Sequence, residues 1–340
     1  MSSRILHRRV AYPASLVLGL VAFALCPASA DEQAAVQPTA VELAGIEPGS
    51  VPGVEDCPGE LDLWVVSTRG LPDVCGMPVK ASPAVERLAG HATCRRWERA
   101  GVAGLLADSS RPLVVFIHGN RYDAADAKDQ GLRLARRLAD HAAGGVSPRV
   151  VILSWPSEKQ GLLLKDGRRK YERAYADGHY LAWLLGQVPG EQPVAVVGYS
   201  FGALVAAEAL EDLSQRSGSG LPWADRPGRT HLVFVAPALR CDAFAPRGPF
   251  RGGLAGVDRF TLLVNSQDKA LQFFPLLEPA VRIDAMGYVG MRRQWLPAEV
   301  EYAATDTAEI VGKLHTMRRY LDNRLLGERI ATGTLAGLEE

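Results

Sequence analysis

Short apolar runs recur along the chain, separated by stretches with helical spacing. Leu61–Val66, Pro112–Ile117, Arg149–Leu153, Pro193–Val197, His231–Val235 and Phe260–Val264 are nearly continuous in apolar residues, and Val281–Asp284 is a weaker run of the same kind. Such runs predict strands buried on both faces. Between them, apolar residues recur three and four positions apart. Leu132, Ala135 and Leu138 mark a helix over about 124–141, and Leu204, Ala207, Leu210 and Leu213 mark one over 203–213. Two more helices are expected over about 173–185 and 317–326, the first after a polar loop holding Lys165, Arg168, Arg169 and Lys170. Strands alternating with amphipathic helices give an α/β class with a mostly parallel central sheet covered on both faces. The stretch 77–106 mixes short helical and irregular signals, with room for one more strand. Residues 31–60 read as a flexible leader rich in Ala, Pro, Glu and Gly, 61–326 as the domain, and 327–340 as a mobile C-terminal tail.

Composition narrows the partners. The 340 residues are 47% hydrophobic and carry formal net charge +0, enough chain for one large core and no basic surplus for nucleic acid. Arg4, His7, Arg8 and Arg9 precede an apolar stretch from Ala14 to Cys26, and Ala28-Ser29-Ala30 stands before Asp31. That order predicts an export signal over 1–30, cleaved near Ala30, and a location in the periplasm, cell envelope or medium. The apolar stretch is short for a membrane span, so membrane attachment arises only if the signal stays uncleaved. Cys26 has Leu25 before it and Pro27 after it, which argues against lipid attachment there. Cys57, Cys75, Cys94 and Cys241 remain after cleavage; in an exported chain they allow two disulfides, in any of three pairings.

The chemistry sits where strands end. Gly198-Tyr199-Ser200-Phe201-Gly202 joins an apolar run to a helical one. Strand, G-x-S-x-G, helix is the context of a nucleophile elbow, with the serine raised on a tight turn at a helix N-terminus. A serine hydroxyl needs a base, and the base needs a carboxylate to orient it. Asp268 follows the strand ending at Val264, and His315 precedes the last helical pattern; the order Ser200, Asp268, His315 is the one this architecture uses. Asp242 and Asp284 are rival carboxylates, and Asp268 also fits a helix N-cap before Lys269. His118-Gly119-Asn120 after a buried strand suggests a loop that brings the Asn120 amide to a developing oxyanion, with the Phe201 amide as second donor. Trp155, Tyr199 and Arg121 are candidate substrate-binding residues, with core packing the competing role for Trp155; Arg69 and Arg240 are weaker candidates for an anionic group.

The elbow, the His-Gly loop and their order resemble the α/β-hydrolase superfamily over about 61–326. More narrowly, Leu63-Trp64-Val65-Val66-Ser67-Thr68-Arg69, Ser154-Trp155-Pro156-Ser157, the elbow and Gly312-Lys313-Leu314-His315 resemble a family of exported bacterial hydrolase-like proteins of unassigned function. The resemblance implies an α/β-hydrolase fold and a Ser-His-Asp triad; the Arg-, Pro- and Gly-rich segment Cys241–Gly256 is short enough for at most a small lid, and the triad is expected to work through an acyl-enzyme. The expected activity is hydrolysis of a small-molecule or polymer-linked carboxylic ester, without metal or organic cofactor. A peptidase or amidase on the same triad, and a non-catalytic binding protein of the cell envelope, are the alternatives. Oligomeric state is left open.

Overall fold

The central strands of this chain are apolar because both of their faces are covered. The computed structural model describes residues 61–74, 82–90, 95–142, 147–161, 163–216, 222–278 and 281–338, all inside the unit Val54–Glu340. The export signal, the leader and Cys57, Cys75 and Cys94 lie outside the described residues; Cys241 has no disulfide partner among those described.

In chain order the elements are β1 (Leu63–Ser67), β2 (Ala84–Ala89), β3 (Arg96–Ala100), α1 (Val102–Leu106), β4 (Leu113–Ile117), α2 (Ala124–Ala139), β5 (Arg149–Ser154), α3 (Leu163–Leu185), β6 (Val194–Tyr199), α4 (Phe201–Gln215), β7 (Thr230–Val235), β8 (Arg259–Val264), α5 (Lys269–Gln272), α6 (Met286–Val289), β9 (Glu301–Asp306), α7 (Ala308–Val311), α8 (Met317–Asp322) and α9 (Arg324–Leu335). The sheet order is β3-β2-β1-β5-β4-β6-β7-β8-β9. From β1 to β9 every pairing is parallel, while β1-β2 and β2-β3 are antiparallel. Helix α3 packs along α4, and α2 packs beside α8 and α9. These two groups shield the central strands, and β4, β5, β6 and β7 are buried at every position.

Four expectations need correction. Val281–Asp284 is not a strand; the last strand is β9, whose Glu-Tyr-Ala-Ala-Thr-Asp sequence is mostly exposed at the sheet edge. Helix α3 begins at Leu163, so the polar segment with Lys165 and Arg168 is its first part. The expected helix over 317–326 is broken at Asn323, whose side chain caps α9 by accepting from the Leu326 N–H. The tail expected after Gly327 belongs to α9, with Leu326, Ile330, Ala331 and Thr334 buried and Gly333 pressed on Thr261. Cys241–Gly256 is short and anchored on the sheet: Phe244 packs against Phe234 and Phe260, and Phe250 and Leu254 are buried. Among the described residues no helix is long and apolar enough to cross a membrane.

Candidate active site

Four parallel strands end on one side of the sheet and deliver the expected residues there. Strand β6 runs into Ser200, which caps α4 with φ 54° and ψ −121°. A non-glycine residue at positive φ is held there only by its surroundings, and the flanking glycines show how. A Cβ at Gly198 would meet the Ala203 Cα at 2.7 Å, and one at Gly202 would collide with the Ile117 carbonyl. The Ser200 N–H donates to the Val235 carbonyl at 3.1 Å, and the Ala238 N–H donates to the Ser200 carbonyl at 3.1 Å, fixing the turn to the end of β7.

The Ser200 hydroxyl lies 2.7 Å from His315 Nε2. His315 Nδ1 lies 2.6 Å from Asp268 Oδ2. Asp268 is fully buried, and its other oxygen accepts the N–H groups of Ala270 at 2.9 Å and Leu271 at 3.1 Å. The carboxylate therefore caps α5 and holds the imidazole at once. Asp242 is taken up elsewhere: both of its oxygens accept from the Arg240 guanidinium at 2.9 Å. Asp284 is exposed, and its carbonyl accepts the Cys241 N–H.

Two ties hold the His315 loop to the Asp268 loop. Asn265, fully buried, donates its side-chain amide to the Gly312 carbonyl at 2.8 Å, and the Lys269 N–H reaches the Lys313 carbonyl at 3.3 Å. Asn265 does not stand out in the sequence, because a strand-ending Asn is common at turns; its polar type at the mouth of an apolar strand is the available signal.

The loop after β4 approaches the serine closely. A Cβ on Gly119 would meet the Tyr199 ring at 2.9 Å and Ser200 Cβ at 3.0 Å. His118 shapes this loop from inside the core. Its Nδ1 lies 2.9 Å from the Gly119 carbonyl, and its Nε2 accepts the Trp155 N–H at 3.2 Å. Those partners fix the neutral ring with its proton on Nδ1. Burial pushes its pKa down to about 3, so the ring stays uncharged. Asn120 Oδ1 accepts the Arg121 N–H at 2.9 Å, which leaves the Asn120 side chain engaged in its own turn. The Phe201 N–H is at the first position of α4, where no carbonyl four residues back can accept it.

The expected substrate-binding side chains separate. Trp155 is fully buried and donates its indole N–H to the His118 carbonyl at 2.8 Å; it is a core residue that supports the loop. Tyr199 is also buried. Its ring stacks on His315 at 5.2 Å and meets Tyr122 edge-on at 6.2 Å, so it backs the imidazole rather than lining a pocket. Arg121 is exposed, with φ 68°. Arg69 is engaged by Ser154, Glu158 and the Tyr122 carbonyl, and Arg240 by Asp242 and Glu278; neither guanidinium is free to meet an anion.

A mostly parallel sheet flanked by helices, with an elbow serine beside a histidine held by an acid, is the arrangement of the α/β-hydrolase class. The model of a family described as alpha/beta hydrolase of unknown function (DUF900) matches residues 98–301. The chain belongs to this family. No curated protein matches it in sequence. Among solved structures it is similar to a provisionally named hydrolase from Agrobacterium vitis S4, at 15% identity over 76% of this chain and 94% of that one, TM-score 0.37. It is also similar to inhibited esterase B from Lactobacillus rhamnosis, at 14% identity over 74% and 79%, TM-score 0.36, and to a bacterial heroin esterase, at 15% identity over 78% and 81%, TM-score 0.36.

Proposed function

We propose that this protein is a serine hydrolase of carboxylic esters that works through an acyl-enzyme. The observation that carries the reading is the unbroken line from the Ser200 hydroxyl through both nitrogens of His315 to the buried carboxylate of Asp268, with steps of 2.7 Å and 2.6 Å. In that line Asp268 holds the Nδ1 proton, leaving the lone pair of Nε2 facing the hydroxyl.

The route follows from these atoms. Ser200 Oγ attacks the ester carbonyl carbon as its proton passes to His315 Nε2. The carbonyl oxygen gains the negative charge and takes hydrogen bonds from the Asn120 and Phe201 amides, with the N-terminus of α4 behind them. His315 then gives its proton to the departing alcohol oxygen, and the acyl group stays on Ser200. Water attacks the acyl carbon as His315 Nε2 takes its proton, the tetrahedral species collapses to release the acid, and His315 returns the proton to Ser200 Oγ. Arg121, the one expected substrate-binding side chain that is exposed, is assigned the rim of the oxyanion loop. The function includes export: the charged start, the apolar stretch and Ala28-Ser29-Ala30 support cleavage near Ala30.

Turnover of a p-nitrophenyl ester beside the matching p-nitroanilide tests the reading. Ester cleavage that disappears in Ser200→Ala is the expected result. Cleavage of the anilide alone would make the enzyme an amidase, and cleavage of neither, across a panel of acyl groups, would make the fold a binding domain.

A further inference from the structure

The stretch that follows Asp268 is unusually apolar for a surface. Phe273 is 60% exposed and Leu276 48% exposed, and Leu164 on the first turn of α3 is 42% exposed. The two segments touch. The Arg168 guanidinium donates twice to the Leu276 carbonyl, at 3.1 Å and 3.0 Å, and a Cβ on Gly167 would stand 3.2 Å from Leu277.

Beneath them runs a ladder of rings that ends at the nucleophile. Phe274 meets Tyr171 edge-on at 5.9 Å, and Tyr171 meets Phe201 edge-on at 5.8 Å. Phe201 is the residue after Ser200. The one polar atom of the ladder is tied away from it: the Tyr171 hydroxyl donates to Glu278 at 2.5 Å. A core stack has no need to continue into exposed Phe and Leu side chains, whereas a wall that meets an apolar ligand does.

We propose that this wall binds the acyl group of the substrate, and that the group is an unbranched hydrocarbon chain longer than acetyl. The side is set by the layers. The wall belongs to α3, which packs on α4, and it adjoins Phe201, whose amide is the donor assigned above to the acyl oxygen. His315, which protonates the leaving alcohol, sits on the loop into α8, in the layer of α2. This assignment rests on the esterase reading above.

The test is a chain-length series of p-nitrophenyl acetate, butyrate, hexanoate and octanoate. Wild type, Phe273→Ser/Leu276→Ser and Leu325→Ser are compared, the last at an exposed leucine of α9. Each methylene laid on the wall adds up to about fourfold, so kcat/KM is expected to rise at least about tenfold from acetate to hexanoate. The double variant should lower the hexanoate-to-acetate ratio by about fivefold or more, and Leu325→Ser should leave that ratio at the wild-type value. A flat profile, a preference for acetate, or an unchanged ratio in the double variant overturns the assignment. Fluorophosphonate labelling of the same samples separates the two levels: labelled protein with a flat profile removes only the acyl wall, and unlabelled, inactive protein removes the esterase reading with it.

Discussion

Asp268 presents one carboxylate oxygen to His315 Nδ1 at 2.6 Å while the other caps α5 through the Ala270 and Leu271 N–H groups. The cap fixes the carboxylate through an oxygen the imidazole does not use, so orientation of the base is built into the start of a helix. Asp268→Asn keeps an oxygen for the cap but exposes His315 to an amide, which favours the wrong tautomer. We expect kcat to fall by about 10⁴ with the urea midpoint nearly unchanged. Asp268→Ala should lose the same activity and, in addition, about 1 kcal/mol of stability from the missing cap. Steady-state kinetics beside urea unfolding would distinguish the two variants; equal stability loss in both would contradict the double role.

Gly119 bears directly on the oxyanion geometry proposed for the loop after β4. An added methyl meets the Tyr199 ring and Ser200 Cβ at 2.9–3.0 Å, so the loop carrying the Asn120 amide must back away. Gly119→Ala should lower kcat by about 10- to 100-fold, the cost of displacing a preorganised donor by part of an ångström, with KM changed far less. Asn120→Ala keeps the backbone N–H and should be the milder change. A kcat loss in Asn120→Ala as large as in Gly119→Ala would move the donor from the backbone to the side chain.

Tyr199 backs His315 from the core, with the two rings 5.2 Å apart and 26° from parallel. Tyr199→Ala removes a buried ring and should cost about 3 kcal/mol or more in stability, together with a fall in kcat as the imidazole loses its support. KM should hold, because the ring is buried behind the imidazole. A rise in KM with kcat preserved would return Tyr199 to the substrate.

Two buried histidines make the fold sensitive to acid. Burial pushes the His118 pKa down to about 3 and the His231 pKa down to about 4, against about 6.5 in an unfolded chain. Between those values the unfolded state binds more protons, so stability rises with pH across that window. The protein should be at full stability, for these groups, above about pH 6.5 and lose it progressively as pH falls towards 4. Thermal midpoints at about pH 7.5 and about pH 5 check the direction. His231 Nδ1 lies 3.1 Å from the Thr334 carbonyl of α9, and His231→Gln should flatten the slope.

What the sequence made legible follows burial. The β4, β5, β6, β7 and β8 strands are apolar because both faces are covered, and their runs read directly as strands. The edges did not. Glu301–Asp306 is a strand with exposed residues and no apolar run, while Val281 is apolar yet exposed, beside Arg282 at φ 50°. β2 and β3 carry Glu and Arg because they lie at the other edge. The first turns of α3 looked like a loop because Lys165, Arg168 and Arg169 lie exposed beside buried Asp166, Lys170 and Tyr171. At the site, spacing and order were enough to single out Ser200, Asp268 and His315. The roles of Trp155 and Tyr199 were not legible, since an aromatic residue beside an elbow serves a core or a pocket equally well until its neighbours are known.

Covalent labelling reads the activation of Ser200 itself. Purified protein treated with a fluorophosphonate, read by intact mass beside Ser200→Ala and His315→Ala, should gain one adduct that both substitutions abolish. Folded wild-type protein that gains no adduct, or an adduct that survives Ser200→Ala, would mean that Ser200 is not the activated nucleophile.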